Sequence, residues 1–420
     1  MTQLANYLLY ASLLVIWLML FYHMFLMLGG YLFSLKHERP LGLWSVKNSE
    51  LPFVSILIPA HNEEIVIENT IQSMVNLNYP KEKLEVIIIN DNSSDLTGMI
   101  ANKYAKKYTY IKVIHNKPPN AGKGKSGALN TGFKHSSGDI IVVYDADNTP
   151  EPDAVRNLVV PLIKGRKIGA VVGKFRVINA KKNILTRFIN IETITFQWLA
   201  QAGRWYWFRL ATIPGTNFAI RRDIIETLGG WDEKALAEDT EISIRVLDLG
   251  YSIRFFPSAI TWEQEPEKWR VWWKQRTRWA CGNMYVIVKY LFRFTKLREK
   301  KILIDLFYFL LTYFLFFTGI LLSHSIFVLN LFVDLDLTIG FVSYALLIVG
   351  FLLFVTELLL ALSIEKQTSI KNFFAIIFMY FTYSQIWLIL VVFSALSEMK
   401  RMTFRRERKW YKTERYKQVS

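Results

Sequence analysis

Two aspartates one residue apart, Asp145-Ala-Asp147, close a run of β-branched residues and offer hard oxygen ligands to a divalent cation. Leaving a buried strand together, they can split the coordination of Mg²⁺ or a similar ion with the oxygens of a diphosphate. Taken alone, the pair is as readily an ordinary turn. A second group, Asn120-Ala-Gly-Lys-Gly-Lys-Ser-Gly127, is a flexible glycine loop with two lysines that opens a helix at Ser126. Backbone amides at a helix start suit a diphosphate. The loop is not a dinucleotide fingerprint, because Asn116-Lys-Pro-Pro-Asn120 separates it from its strand. Nor is it a P-loop, because Pro119 stands where the first glycine would be.

Two further groups could act on an acceptor. Ala237-Glu-Asp-Thr-Glu241 opens a helical stretch continued by Ile242, Val246 and Leu249. Carboxylates there can simply complement the helix dipole. Crowding by Glu238 and partial burial could instead raise Asp239 into the range of a general base. In Trp269-Arg-Val-Trp-Trp-Lys-Gln-Arg-Thr-Arg-Trp279, the residues Gln275, Arg278 and Trp279 fall on one helical face. An amide, a guanidinium and an indole together can pair a phosphate and stack a sugar. An interfacial Trp/Arg belt has the same composition.

These groups need a scaffold, and the sequence supplies one. Short Val/Ile-rich runs at 54–58, 86–89, 111–114 and 140–144 read as buried parallel strands. Ile65, Ile71, Met74 and Val75 fall near helical spacing and fit a crossover helix between the first two. Ligands of open α/β sheets bind at the carboxyl ends of the strands. There the sequence places Pro59-Ala-His-Asn-Glu-Glu64, Asn90-Asp-Asn-Ser-Ser-Asp95 and Asp145-Ala-Asp147.

The chain has 420 residues, 52% hydrophobic yet 20% charged, which fits an α/β domain fused to membrane helices. Apolar stretches lie at 7–35, 302–333, 339–362 and 373–396, each long enough for a bilayer that needs about 20 residues. No Lys or Arg precedes the first, so it reads as a retained anchor and not a cleaved signal. An excess of 51 Lys+Arg over 35 Asp+Glu gives a net charge of +16. The basic residues cluster beside apolar segments, which suits a lipid surface or a phosphate-bearing substrate and argues against nucleic acid. Lys36, His37, Arg39 and Lys47 after the first stretch, and Arg293 to Lys301 before the second, place the α/β domain in the cytosol. The uncharged-to-acidic loop Asp334–Asp336 suits the outside. Three C-terminal spans would then leave the basic tail outside, against the charge rule. Either one stretch is re-entrant or interfacial, or 302–333 hides two short crossings. The single Cys281 excludes an internal disulfide and reads as a packing residue.

In this order and spacing, the motifs over about 54–279 resemble the processive family-2 glycosyltransferases, the synthases of cellulose, hyaluronan, chitin and poly-N-acetylglucosamine. The most specific element is Gln275-Arg-Thr-Arg-Trp279, which is similar to their Q-x-x-R-W signature. The resemblance implies an α/β, Rossmann-like GT-A domain in the cytosol at 51–265, flanked by transmembrane helices. The anchor would be 1–35, interfacial helices 266–300, about three C-terminal spans 301–397, and a basic tail 398–420. It implies that Asp91 and the loop Pro59 to Glu63 hold the nucleoside of a UDP-sugar and that Lys125 contacts the diphosphate. Asp145 and Asp147 would serve the nucleotide and Mg²⁺ or Mn²⁺. Asp239, beside Glu238, would deprotonate the acceptor. Gln275, Arg278 and Trp279 would stabilise the leaving group and stack the acceptor sugar, with Gly215 in a loop near it. Two departures stand out: Asn90-Asp-Asn-Ser93 keeps one carboxylate where the family has two, and Ala237 replaces the Thr of T-E-D.

The expected activity is an inverting transfer at the cell membrane, from UDP-N-acetylglucosamine to a growing, exported β-linked exopolysaccharide, with room for a small membrane partner subunit. Three other readings stay open: one sugar added to a lipid carrier, an idle nucleotide-sugar receptor, and a transporter.

Overall fold

The computed structural model describes residues 2–36, 46–119, 121–333, 335, 337, 340–403 and 413–416. His37, Arg39, Asn120, Asp334, Asp336 and most of the basic tail lie outside the described residues. Helix α1 (Thr2–Lys36) carries no Asp, Glu, Lys or Arg before Lys36. At 1.5 Å per residue it is roughly 52 Å long, well beyond a hydrocarbon core of about 30 Å. Its surplus turns dock on the α/β domain. Glycine makes that docking possible: a Cβ on Gly30 would overlap the Trp198 carbonyl oxygen, and one on Gly203 would overlap that of Leu26.

The domain alternates strands and helices: β1 (Val54–Ala60), α2 (Ile67–Val75), β2 (Leu84–Asp91), α3 (Thr97–Lys107), β3 (Ile111–Asn116), α4 (Gly124–Lys134) and β4 (Ile140–Val143). It continues with β5 (Thr149–Pro150), α5 (Ala154–Lys164), β6 (Ile168–Val177) and α6 (Ile184–Phe196), which runs through π-helical turns Gln197–Gly203 into α7 (Arg204–Phe208). Then come β7 (Phe218–Arg221), α8 (Arg222–Leu228), α9 (Glu238–Asp248) and β8 (Ser252–Glu263). One eight-stranded sheet has the order β3-β2-β1-β4-β7-β6-β8-β5. The first four strands pair in parallel and β7 runs antiparallel to both neighbours. Alternate residues feed different cores: Leu57 and Ile87 pack on one face, Ile56 and Val86 on the other. Burial on both faces is why these strands are continuously apolar.

The expected strands are all present, with adjusted edges. The crossover helix starts at Ile67, so Ile65 lies before it and is exposed. Helix α4 opens at Gly124, two residues ahead of Ser126, because Gly124 at φ 70° supplies the turn that starts it.

After β8 follow α10 (Trp269–Leu291), α11 (Ile302–Leu310), π-helical turns Leu311–Phe316, α12 (Phe317–Asn330), α13 (Gly340–Ile364), α14 (Ile370–Phe381) and α15 (Tyr383–Thr403). Among the described residues four segments are long and apolar enough to cross a membrane: Thr2–Lys36, Ile302–Asn330, Ala345–Ile364 and Ile370–Arg401. The last is broken at Thr382 (φ −123°, ψ −74°) and stays beside the α/β domain along its length. Arg187 of α6 donates to Asn372, Tyr383 and Trp387 both donate to Glu192 of α6, and the Cys281 thiol of α10 meets the Ser394 carbonyl. Beyond it, the Tyr416 backbone makes two hydrogen bonds with Gln264, so this end of the chain lies on the domain's side.

Candidate active site

A cavity of about 870 Å³ opens at the carboxyl ends of β1, β2 and β4, passes beneath α9 and α10, and ends against α11 and α12. Pro59, Glu63, Asp91, Lys125, Asp145, Asp147, Gly215, Glu238, Asp239, Gln275, Arg278 and Trp279 all line it. Residues spread over more than half the chain thus meet in one place.

The strand ends build its first part. Asp91 closes β2, where its carboxylate accepts the Gly122 amide at 3.3 Å and the Asn116 side chain at 3.3 Å. The Glu63 amide is fixed by the Thr97 hydroxyl at 2.7 Å. Asp145 follows β4, its amide held to the Thr216 hydroxyl, and its carboxylate pairs with the Lys125 ammonium. Lys125 also donates to the Gly215 carbonyl at 2.8 Å and lies 3.8 Å from Glu238. Burial alone would depress Lys125, but Asp145 and Glu238 override it and hold the ammonium charged. A cation beside a glycine loop at a helix start has the chemistry to take a phosphate.

Across from it sit Glu238 and Asp239, the first two residues of α9. Asp239 accepts the Thr240 amide at 2.7 Å through Oδ1, which fixes its rotamer. Its Oδ2 faces Gly215, where a Cβ would come within 2.9 Å; glycine there, at φ 88°, keeps the approach open. Burial raises Asp239 above the usual carboxylate range, and burial together with the Asp239 charge pushes Glu238 up to about 7. Arg278 of α10 opposes both shifts and is itself lowered by burial. Its Nε has no hydrogen-bond partner among the described residues, so a donor is available to a ligand. Trp279 is 40% exposed and carries the Arg276 guanidinium over its ring at 4.1 Å.

Several charged residues line this site without being anticipated, Arg276 among them. Arg415 reaches in from the tail, with Nη1 2.8 Å from Asp147 Oδ2 and Nε 3.6 Å from Glu63. Nothing local in a basic tail signals such a contact. Glu263 closes β8 and Glu265 follows it as an acid-x-acid pair, the pattern that marked Asp145 and Asp147, so the same logic would have found them. Burial raises both, Glu263 well above the usual range and Glu265 to about 7. Glu192 lines the far wall.

The donor set suits a hard divalent cation. Asp145 and Asp147 already bind cationic side chains, Lys125 and Arg415, in the places an ion would compete for. Among the described residues no group of three or more His, Cys, Asp or Glu is arranged to cage a metal. The pair would therefore share an ion with a substrate's phosphates. Arg415→Ala removes the competing charge from Asp147, so Mn²⁺ binding to the donor-free protein should tighten by about fivefold, the scale of one modest ion pair. Manganese paramagnetic resonance reads this directly; unchanged affinity would show that Arg415 does not compete.

Residues 55–229 match the family model "Glycosyl transferase family 2". The "Probable glycosyltransferase YdaM" of Bacillus subtilis (strain 168) is 62% identical over 414 residues, 98% of this chain and 99% of that one. The chain belongs to glycosyl transferase family 2. This glycosyltransferase is accordingly an enzyme of the hexosyltransferase type that uses a nucleotide-sugar donor. The "Beta-monoglucosyldiacylglycerol synthase" of Trichormus variabilis is 35% identical over 258 residues, 61% of this chain and 54% of that enzyme. The "Poly-beta-1,6-N-acetyl-D-glucosamine synthase" of Staphylococcus aureus (strain COL) is 31% identical over 258 residues, 61% of each. In fold, the glycosyltransferase is similar to a mannosyltransferase from Pyrobaculum calidifontis, solved with GDP-Man and Mn²⁺. The TM-score is 0.61 at 18% identity, over 94% of this chain and all of that one. The domain is a GT-A, Rossmann-like α/β unit with apolar helices on both sides.

Proposed function

We propose that this enzyme is a membrane-embedded, inverting glycosyltransferase that extends a β-linked glycan from a UDP-sugar, with its catalytic domain in the cytosol. The observation that carries the reading is the continuity of one cavity, from the strand-end carboxylates past Asp239 to the Gln275–Trp279 face. Donor, base and acceptor platform then share a single space.

In this account Asp91 and the loop from Pro59 to Glu63 hold the nucleoside, and Lys125 orients the diphosphate. A divalent cation, Mg²⁺ or Mn²⁺, would be held by Asp145 and Asp147 with the diphosphate and would supply Lewis-acid neutralisation of the leaving group. Asp239 takes the proton of the acceptor hydroxyl as that oxygen bonds to the anomeric carbon. The bond from that carbon to the diphosphate oxygen breaks on the opposite face, and UDP leaves. Arg278 and Lys125 receive the charge that develops on the diphosphate. The acceptor unit stays against Trp279, and the transferred sugar becomes the new non-reducing end of the chain. UDP-N-acetylglucosamine is the proposed donor, supported by the likeness to poly-β-1,6-N-acetylglucosamine synthases.

A second reading, one sugar placed on a lipid acceptor, is favoured by a specific feature. The inner end of the cavity is lined by Phe309, Thr312 and Phe317, on helices apolar enough to cross a membrane. The likeness to a glucosyldiacylglycerol synthase points the same way. Product length separates the two. Purified enzyme in lipid nanodiscs, given radiolabelled donor, is expected to yield chains of many sugars; single-sugar lipids as the whole product would overturn polymerisation.

A further inference from the structure

The deep wall of the cavity holds a charged cluster that donor binding does not use. Glu192 of α6 accepts three donors: Trp387 Nε1 on Oε1 at 2.8 Å, and Tyr383 Oη and Arg276 Nη2 on Oε2, each at 2.8 Å. The Trp272 indole donates to Tyr383 at 2.8 Å and locks that hydroxyl in turn. Three helices, α6, α10 and α15, thus fix one carboxylate. Its side chain is still 25% exposed, and a carboxylate offers about four acceptor positions, so one remains toward the cavity.

Beside it, Glu265 is 5% exposed, lines the same cavity, and its Oε2 has no hydrogen-bond partner among the described residues. The nearest cation is Arg276 Nη2 at 3.9 Å, beyond hydrogen-bond reach. A buried acceptor without a donor is costly, so the site is built for a ligand that brings one. Arg276 links the cluster to the acceptor platform: it donates to Gln275 at 2.7 Å and lies over the ring of Trp279, which is 40% exposed and lines the cavity.

We propose that Glu265 and Glu192, joined through Arg276, form the floor of an acceptor-sugar subsite that takes the hydroxyls of a glycan unit stacked on Trp279. The ligand class follows from what each alternative would leave unpaired. An acyl chain brings no donor and would leave the Glu265 Oε2 buried without one. A phosphate brings negative charge to a wall that is already acidic. A sugar ring brings several hydroxyl donors and an apolar face suited to an indole. The subsite rests on the glycan-extending reading and specifies it: the acceptor is recognised by its sugar, ahead of the apolar end of the cavity.

The test adds short oligosaccharides of the transferred sugar to the enzyme in nanodiscs at saturating donor. Wild-type UDP release is expected to rise with oligosaccharide and saturate. In Glu265→Gln and in Glu192→Gln, the half-saturating oligosaccharide concentration is expected to rise by about tenfold, the loss of one charge-assisted hydrogen bond. Calorimetric UDP affinity, the check on folding, should stay within about twofold. Unchanged oligosaccharide saturation in both variants would overturn the subsite. So would a parallel loss of UDP affinity, which marks a structural cluster, or wild-type UDP release indifferent to oligosaccharide. Failure of the glycan-extending reading shows separately, as single-sugar lipid products from the wild type.

Discussion

Asp239→Asn is expected to slow sugar transfer by ~10²–10⁴-fold, the usual contribution of a positioned general base. The substitution is nearly isosteric, and the amide oxygen can still accept the Thr240 amide that fixes the rotamer. What it loses is the ability to take a proton through the oxygen facing Gly215. UDP affinity should therefore hold within about threefold while turnover collapses, a split visible by calorimetry beside a UDP-release assay. The pH profile carries a second expectation. As the proposed base, Asp239 would act only when ionised, and burial raises it, with Glu238 beside it pushed up to about 7. Activity should fall as pH drops through the raised values of this pair, so the acid limb of kcat/KM lies above the ordinary carboxylate range. An acid limb near that of a free carboxylate would contradict the burial argument.

Arg278→Ala is expected to cost ~10²–10³-fold in kcat, as for loss of one aimed donor to a developing anion. Arg278 faces Glu238, Asp239 and Asp145, and its Nε has no hydrogen-bond partner among the described residues, so it could offer both charge and a donor to the diphosphate. A structural role alone would lower activity without moving the pH profile. The catalytic role moves it in a defined direction. Arg278 lowers the proton affinity of Glu238 and Asp239, so its removal should shift the acid limb to higher pH. Arg278→Lys should restore part of the limb position but less of kcat, because an ammonium lacks the planar fork. A limb that stays in place in Arg278→Ala would remove the residue from the site's electrostatics.

Much of the scaffold was legible because buried parallel strands leave a strong signature. The runs that became β1 to β4 are apolar on both faces, as Leu57 and Ile56 show by entering opposite cores. β5 and β7 were not legible, since two residues (Thr149–Pro150) and four (Phe218–Arg221) are too short to show a period. Each chemical motif had a plain alternative when read alone, and only the shared cavity brings Lys125, Asp145 and Asp239 together. The Glu263 and Glu265 pair could have been read from its position at the end of a strand. Arg415 could not, because its partners Asp147 and Glu63 lie at the other end of the chain and no local pattern encodes the contact. The break at Thr382 was equally hidden: hydropathy sees one continuous apolar stretch, whereas the bonds from Glu192 and Arg187 hold it to the domain.

The central claim is that donor, base and acceptor meet in this one cavity and that Asp239 drives the transfer. It is tested most directly by UDP release from purified enzyme offered a panel of UDP-sugars with Mn²⁺. The account predicts release from one of them, UDP-N-acetylglucosamine, abolished by a chelator and by Asp239→Asn. Release that continues undiminished in Asp239→Asn, or no release from any UDP-sugar, would contradict it.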